Sequence, residues 1–275
     1  MQRKIAILAP DYPPEKGGVS DYTSKLFQEF QKQNIASIVI TRKSSQRVKS
    51  SLVLEVEIPT KFLNFESTIK ENDITDLLIE YTPKSFNPKT LGSNLWLVIN
   101  ILRIRKQVNV HLYAHETNFP IELSKAGLTL GPIHTLQFYL MCLLSKTITF
   151  STKRFEQKWR KRIPNKKSSM QTVPIGSNIE PDHLKTFEKK KQVIFFGSNH
   201  PTCLKDQALQ TMIHIAEELP HINFVILGLK KNDFPVSSYQ ERFEFPGYLE
   251  EPQISKYFGE SILSILPLMD GCSTR

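Results

Sequence analysis

The stretch KIAILAPDYPPEKGGVSDYTSKLFQEF, residues 4–30, joins a short apolar run to an amphipathic segment through two prolines and a glycine pair. The apolar run predicts a buried strand. Leu26, Phe27 and Phe30 return at helical spacing, so we expect a helix from about Val19 onward. A buried strand that feeds a helix through a short loop is the opening unit of a parallel α/β sheet.

The glycine pair, Gly17 and Gly18, lies directly before this predicted helix. Glycine carries no Cβ, so another molecule can come close to its peptide N–H groups. The positive end of the helix dipole faces the same loop, which favours an anion there. A tight turn that needs glycine for its own backbone is the alternative explanation, and the sequence of this loop leaves both open.

The same alternation of strand and helix continues along the first part of the chain. Six further short runs rich in Val, Ile and Leu follow, at residues 35–41, 52–58, 76–82, 108–116, 147–151 and 170–176. Residues 88–106 and 132–146 predict helices, the second apolar on nearly all sides. The alternation predicts a parallel sheet with helices on both faces.

A second unit follows a polar, charged segment at residues 179–191, which we interpret as a linker. Its predicted elements are a strand at 193–198, a helix at 204–220, a strand at 222–228, the segment 243–249, a helix at 251–259 and a strand at 261–268. The predicted fold is α/β, with two Rossmann-like doubly wound domains at 1–178 and 192–275. The second is expected to be incomplete, because only about four strands can be recognised.

Composition narrows the class of protein further. The 275 residues are 40% apolar, which excludes a disordered chain, and the net charge of +9 favours phosphorylated small molecules, acidic lipids or nucleic acid as partners. The three cysteines give neither a disulfide framework nor a zinc pattern. With a short N-terminal apolar run and no long uncharged segment, the sequence predicts a cytoplasmic protein.

The basic stretch at residues 153–167 carries Phe155 and Trp159 four positions apart, on one face of a predicted helix. This pattern is typical of a helix that touches an anionic membrane surface from the cytoplasmic side. It is equally typical of a solvated basic helix whose aromatic side chains pack into the core. A nucleic-acid partner is not expected, because no recognised module accompanies the charge.

Several stretches in order resemble one family, the GT-B glycosyltransferases, and within it the retaining, nucleotide-sugar-dependent enzymes of glycosyltransferase family four. The resemblance covers nearly the whole chain. It rests on YPPEKGGVSDYTSKLFQEF (12–30), LLIEYTP (77–83), VHLYAHE (110–116), TVPIGSNI (172–179), VIFFGSN (193–199), INFVILG (222–228), FPGYLEEPQISKYFGES (245–261) and SILPLMDGCSTR (264–275).

This resemblance implies a retaining hexosyltransferase that moves a sugar from a nucleotide diphosphate to an acceptor hydroxyl, in the synthesis of a cell-envelope polysaccharide or glycolipid. The acceptor would be a sugar, a lipid-linked molecule or a protein. His115 would lie near the transferred sugar as the catalytic residue. The donor would be bound by Gly17, Gly18, Lys205, Asp270, Gly271, Ser273 and Thr274. No metal or other cofactor is expected, since cationic side chains and helix termini can neutralise the phosphates.

The chain departs from the family pattern beside Lys205. An arginine usually follows the glycine at the end of that strand, and here Ser198 stands in its place. Serine cannot supply the planar two-pronged phosphate contact of arginine. Three functions therefore stay open: a glycosyltransferase, a non-catalytic remnant or binding module of the same fold, and a basic α/β protein that binds nucleic acid or membrane without chemistry.

Overall fold

A computed structural model of the chain describes residues 3–15, 17–44, 50–56, 62–83, 86, 93–117, 125–177, 179, 186–197, 203–233, 239–247 and 249–267. For residues 62–64, 93–94, 125–130 and 167 it describes the backbone alone. Contacts divide the chain into two compact units, with the division between Gly176 and Ser177. Residues 180–185 of the predicted linker lie outside the described residues.

The first unit is built on a seven-stranded parallel sheet. Its strands are β1 (Ile5–Leu8), β2 (Ser37–Arg42), β3 (Val53–Val56), β4 (Asp76–Tyr81), β5 (Asn109–Ala114), β6 (Thr147–Phe150) and β7 (Met170–Thr172). They lie in the order β3-β2-β1-β4-β5-β6-β7, and every neighbouring pair is parallel. All seven apolar runs predicted in this part of the sequence are confirmed as strands.

Five helices cover the two faces of this sheet: α1 (Gly18–Lys32), α2 (Phe62–Glu71), α3 (Ser93–Ile104), α4 (Lys125–Leu144) and α5 (Lys153–Arg162). On one face α1 buries Phe27 against Ile7 and Val39. The other four helices share the main core on the opposite face. The sequence predicted a helix at residues 132–146, so that Pro132 would be its first residue. This was wrong, because Pro132 lies inside the helix.

The second unit contains a four-stranded parallel sheet in the order β10-β9-β8-β11. Its elements are β8 (Lys190–Phe196), α6 (Lys205–Glu218), β9 (Asn223–Leu227), β10 (Phe243–Gly247), α7 (Glu251–Glu260) and β11 (Ser261–Ile265). Met212 of α6 packs on one face of the sheet with Phe195, while Ile254 of α7 packs on the other with Val225. Helices on both faces make this unit doubly wound as well.

Cys142 and Cys203 are buried free thiols, and Cys272 lies outside the described residues. Among the described helices, none has an apolar stretch long enough to cross a bilayer.

Candidate functional site

The first sheet changes direction between β1 and β4. The chain leaves β1 towards β2 on one side, and it later continues from β4 towards β7 on the other. In open α/β sheets, ligands bind beyond the carboxyl ends of the strands at such a switch point. The loop before α1, the end of β4 and the residue after β5 meet at this edge, so they define the candidate site.

The N-terminus of α1 is open at this edge. Gly17 is its N-cap residue, with φ 160° and ψ 152°, and no side chain of the described residues caps it. This backbone is extended and available to any residue, and a Cβ added at Gly17 would meet nothing within 4 Å. Gly18 is the first residue of the helix. The fold therefore does not need glycine at position 17, which argues against the tight-turn explanation there and leaves room for a ligand.

The loop before this terminus is held by its own hydrogen bonds. Ser20, which is almost fully buried, donates from Oγ to the carbonyl oxygen of Glu15 at 2.6 Å. Asp11 at the start of the loop pairs with Arg42 across 3.6 Å. These contacts fix the path of the chain on both sides of the glycine pair.

His115 follows β5 and is fixed through its backbone. Its N–H donates to the carbonyl oxygen of Tyr81 at 3.0 Å, and its own carbonyl oxygen accepts from Ser151 Oγ at 2.7 Å. The neighbouring strands β4 and β6 thus both hold this residue. Its imidazole has little freedom to move without a change in the sheet edge.

The imidazole of His115 forms a short hydrogen bond through Nε2 with Oε2 of Glu80, near the end of β4. Both side chains are 0% exposed. The second oxygen of Glu80 and the second nitrogen of His115 are also buried, and neither has a hydrogen-bond partner among the described residues. Buried polar atoms without partners are costly, and they are often found where a ligand or water completes the bonding. The bonded pair therefore still offers one carboxylate oxygen and one ring nitrogen.

Two tyrosine rings enclose this pair. Tyr22 of α1 stacks on Tyr113 at 5.5 Å between ring centroids and meets the ring of His115 edge-on at 5.1 Å. Tyr113 in turn donates from its hydroxyl to the carbonyl oxygen of Val173 at 2.8 Å. Burial, followed by the negative charge of Glu80, raises the pKa of Tyr22 far above its usual value, so its hydroxyl stays protonated.

The structure therefore brings three sequence-predicted residues, Gly17, Gly18 and His115, to one edge of the first sheet, with Tyr22 linking α1 to the histidine. Glu80, Tyr22 and Tyr113 were not predicted from the sequence. A signal existed for Glu80, because a carboxylate within a strand of a doubly covered parallel sheet is unusual. Its partner His115 directly follows the adjacent strand β5, and sequence spacing does not reveal such pairs.

Lys205 lies in the second unit, as the first residue of α6. It is half-buried, and its Nζ donates to the carbonyl oxygen of Asp233 at 3.4 Å. Asp270, Gly271, Ser273 and Thr274 lie outside the described residues, as does Ser198. The predicted roles of all these residues stay predictions.

The strand ends of the second unit are closely packed around two glycines. Gly228 follows β9 with φ +85°, and a Cβ there would lie 1.9 Å from the carbonyl oxygen of Gly197. Gly197 itself donates from its N–H to the carbonyl oxygen of Leu227 at 3.1 Å. Here, unlike at Gly17, the fold itself requires glycine.

A second polar cluster lies at the other end of β4 and β5. His111 bonds through Nε2 to Asp76 at 2.9 Å and through Nδ1 to Thr147 Oγ1 at 2.8 Å, and Arg3 pairs with the same aspartate. Burial alone would raise the pKa of Asp76, but hydrogen bonds from Arg3, His111 and Thr75 outweigh it and hold the pKa well below the usual range. This cluster therefore behaves as a structural ion pair.

No group of three or more His, Cys, Asp and Glu side chains within the described ranges is placed to hold a metal ion. His111 and His115 bond to separate carboxylates and lie roughly 13 Å apart along the strand.

The fold and the edge described above define a class of architecture: two doubly wound, Rossmann-like units in one chain, the GT-B type. No protein-family model matches the chain, and no curated protein matches it.

Solved structures match it over nearly its whole length. The catalytic domain of starch synthase IV from Arabidopsis thaliana, bound to ADP and acarbose, is similar with a TM-score of 0.65 and 10% identity, over 98% of this chain and 79% of that one. The pneumococcal O-GlcNAc transferase GtfA, in complex with UDP and GlcNAc, is similar with a TM-score of 0.64 and 10% identity, over 95% and 79%. MnaA of S. aureus, in a structure with UDP, is similar with a TM-score of 0.57 and 12% identity, over 96% of this chain and 74% of that one. At these identities the likeness shows the fold.

Proposed function

We propose that this chain is a glycosyltransferase that moves a sugar from a nucleotide diphosphate to an acceptor hydroxyl, with retention at the anomeric carbon. The buried pair of Glu80 and His115 beside the open N-terminus of α1 is the observation that carries this proposal. It stands at the switch point of a fold whose solved members hold UDP or ADP.

Each group at the carboxyl ends of the strands could meet one requirement of the reaction. Negative charge grows on the diphosphate as it leaves, and the positive N-terminal end of α1, which begins beside Gly17, can stabilise it. Within the second unit, Lys205 and Asp270 with its neighbours in sequence are proposed to bind donor phosphate. No metal is needed in this proposal, because these groups supply the positive charge.

His115 is proposed to act on the sugar through Nδ1, the ring nitrogen that has no partner among the described residues. Glu80 fixes the ring through Nε2 and acts as a positioning residue. A hydrogen bond between Nδ1 and a sugar hydroxyl would hold the anomeric carbon against the leaving phosphate. The acceptor hydroxyl loses its proton as the new bond forms, and the departing diphosphate oxygen takes that proton. We further propose a role in cell-envelope polysaccharide or glycolipid synthesis, with a sugar, lipid-linked or protein acceptor.

Incubation of the protein with a panel of UDP-, ADP- and GDP-sugars tests this function. We expect release of nucleoside diphosphate with one donor, and thermal stabilisation by the matching diphosphate of about 2.7 kcal/mol at a hundredfold excess over Kd. Other solved structures of this fold are UDP-N-acetylglucosamine 2-epimerases. An inverted C2 centre in the recovered nucleotide sugar, without diphosphate release and transfer, would favour that chemistry instead.

Gly17→Leu gives a direct test of the open helix terminus. The backbone at Gly17 is extended and a Cβ there meets nothing within 4 Å, so stability should stay within about 0.5 kcal/mol. Binding of the diphosphate should fall at least about tenfold, since the side chain would cover the peptide N–H groups. Gln28→Leu places the same side chain on an exposed position further along α1 and should change neither property. Equal binding by both variants would contradict a diphosphate site at this terminus.

A further inference from the structure

Helices α3 and α4 expose a row of large apolar side chains. On α4 the exposed positions are three and seven residues apart, and on α3 they are seven apart, so each set follows one side of its helix. Leu136 is 59% exposed and Leu102 is 51% exposed. The set, which we call the leucine face, is Leu95, Leu102, Ile133, Leu136 and Leu143.

The two helices lie side by side in one layer. α3 packs on α4, and α4 is joined to α5 through the rings of Phe138 and Trp159, whose centroids are 4.6 Å apart. All three helices bury their inner sides in the same core above the sheet. Their exposed sides therefore look outward from the same face of the first unit.

Positive charge is concentrated on this part of the chain. Residues 81–178 contain 15 Lys and Arg against 3 Asp and Glu, a net charge of +12, while the whole chain carries +9. The described side chains of α3, α4 and α5 include one acidic residue, Glu156, and it is buried. Exposed basic residues border the leucine face, and we call them the basic rim: Arg103, Arg105, Lys106, Lys146, Lys153, Arg154, Lys158, Lys161 and Arg162.

On α5, basic side chains of the rim lie close enough for their positive charges to repel one another. Lys158 lies four residues from both Arg154 and Arg162. Partial burial, and then the charges of these two arginines, lower the pKa of Lys158. The aromatic residues that the sequence suggested as surface anchors point inward: Trp159 is 0% exposed and Phe155 packs against the core. The apolar contact surface is supplied by α3 and α4 instead.

We propose that the leucine face and the basic rim dock the first unit onto a lipid bilayer that contains anionic lipids. Exposed leucines can enter the boundary of the acyl chains, and lysine and arginine at their border can meet the phosphates of the headgroups. A second copy of this chain fits the surface less well, since it would bring a second basic rim to the first. The proposal does not depend on glycosyl transfer, because vesicle binding is measured without donor or acceptor.

Vesicle flotation with the full chain tests the surface. We expect binding to phosphatidylcholine vesicles that contain about a third phosphatidylglycerol, and at least about tenfold weaker binding to pure phosphatidylcholine. Raising the salt from 0.05 to 0.5 M should release most of the protein. Each basic residue near an anionic surface contributes roughly fivefold in partitioning. Lys158→Glu with Arg162→Glu should therefore bind at least about twentyfold more weakly.

Matched variants show whether vesicle binding depends on this surface or only on the net charge and the exposed apolar residues of the whole chain. Lys32→Glu with Lys191→Glu makes the same change of net charge at residues outside the basic rim and should bind nearly as well as the unchanged protein. Leu102→Glu with Leu136→Glu should abolish binding, while Leu219→Glu, on an exposed leucine of the second unit, should leave it intact. Tryptophan fluorescence confirms folding of the first unit in each variant, because both tryptophans lie there, and hydrogen exchange confirms folding of the second unit in the variants at Lys191 and Leu219.

Three results would overturn the proposal. The first is equal binding to neutral and anionic vesicles, and the second is unchanged binding by Leu102→Glu with Leu136→Glu. The third is a stable dimer in sedimentation that Leu102→Glu with Leu136→Glu converts to a monomer, which would assign the face to a second copy of the chain.

Discussion

Replacing the two members of the buried pair, singly and together, gives the sharpest test of the site geometry. Glu80→Leu removes the carboxylate and leaves Nε2 of His115 buried without a partner; His115→Leu leaves the carboxylate of Glu80 without one. Each side chain is 0% exposed, so the polar group that remains in a single variant is buried without its partner. The double variant removes both polar groups and keeps apolar side chains of similar size in their place.

The expected energies follow from this burial. Breaking a buried charged pair from one side costs about 3–5 kcal/mol, whereas replacing both partners with apolar groups is often nearly neutral. For a unit of this size, the loss in each single variant corresponds to about 6–20 °C in Tm. The double variant should be more stable than the sum of the two single changes predicts, and the coupling energy should be at least about 3 kcal/mol, because two losses are replaced by one nearly neutral change.

Urea unfolding followed by tryptophan fluorescence measures these energies in the right unit. The chain has two tryptophans, Trp96 and Trp159, and both lie in the main core of the first unit. A single probe of this kind avoids treating the two units as one transition. The m-value should stay constant across the set, so that midpoints report stability.

Tyr113→Phe is the control for this cycle. It removes a hydroxyl that donates to Val173 beside the pair and should cost about 1 kcal/mol, additively with Glu80→Leu. Additive losses for Glu80→Leu and His115→Leu, within about 0.5 kcal/mol, would refute the bonded pair. Single losses below about 1 kcal/mol would refute its burial.

Two further predictions concern stability. Glu156 accepts hydrogen bonds from three side chains, of which Thr172 has the largest effect, followed by Arg160 and Lys153. Together these bonds outweigh burial and lower the pKa of the Glu156 carboxyl to about 2. They therefore stabilise the fold above about pH 4.5, and this stabilisation is lost as the pH falls towards 2. Glu156→Gln should be less stable by up to about 3 kcal/mol at pH 7, and this difference should shrink through that window in urea unfolding followed by tryptophan fluorescence; a constant difference would contradict the ion pair. Gly228→Ala should destabilise the second unit by at least about 2 kcal/mol, measured by hydrogen exchange, and should leave the tryptophan transition of the first unit unchanged. Gly247→Ala, at φ +78° but with open space, should cost about 1 kcal/mol, and equal losses at the two glycines would contradict the contact at Gly228.

The fold could be predicted from sequence because each of its strands is a short apolar run bounded by polar residues. Hydrophobic periodicity located all seven strands of the first sheet, and the start of α1 was correct to within one residue. It failed at the start of α4, where a proline that usually begins a helix lies inside one. Local preference is a weak guide when the surrounding helix supplies the other hydrogen bonds.

The candidate site could be predicted only in part. Gly17 and His115 stand beside strand ends, and a parallel sheet brings its carboxyl ends to one edge. Glu80 could not be paired with His115 from sequence, since the pairing depends on the register of β4 with β5, in which Tyr81 lies opposite Ala114. The inward direction of Trp159 was equally hidden, because its partner Phe138 belongs to another helix.

The buried pair also bears on the choice between an enzyme and a non-catalytic remnant. Two atoms, Oε1 of Glu80 and Nδ1 of His115, are buried without partners among the described residues, and such atoms cost about 1–3 kcal/mol each. An apolar pair at these positions would give a more stable sheet edge. A fold that served only as a scaffold would gain nothing from this arrangement, whereas a site that offers both atoms to a sugar would recover the cost on binding. The variant that combines Glu80→Leu with His115→Leu should therefore fold well, and it should no longer release diphosphate from the nucleotide sugar.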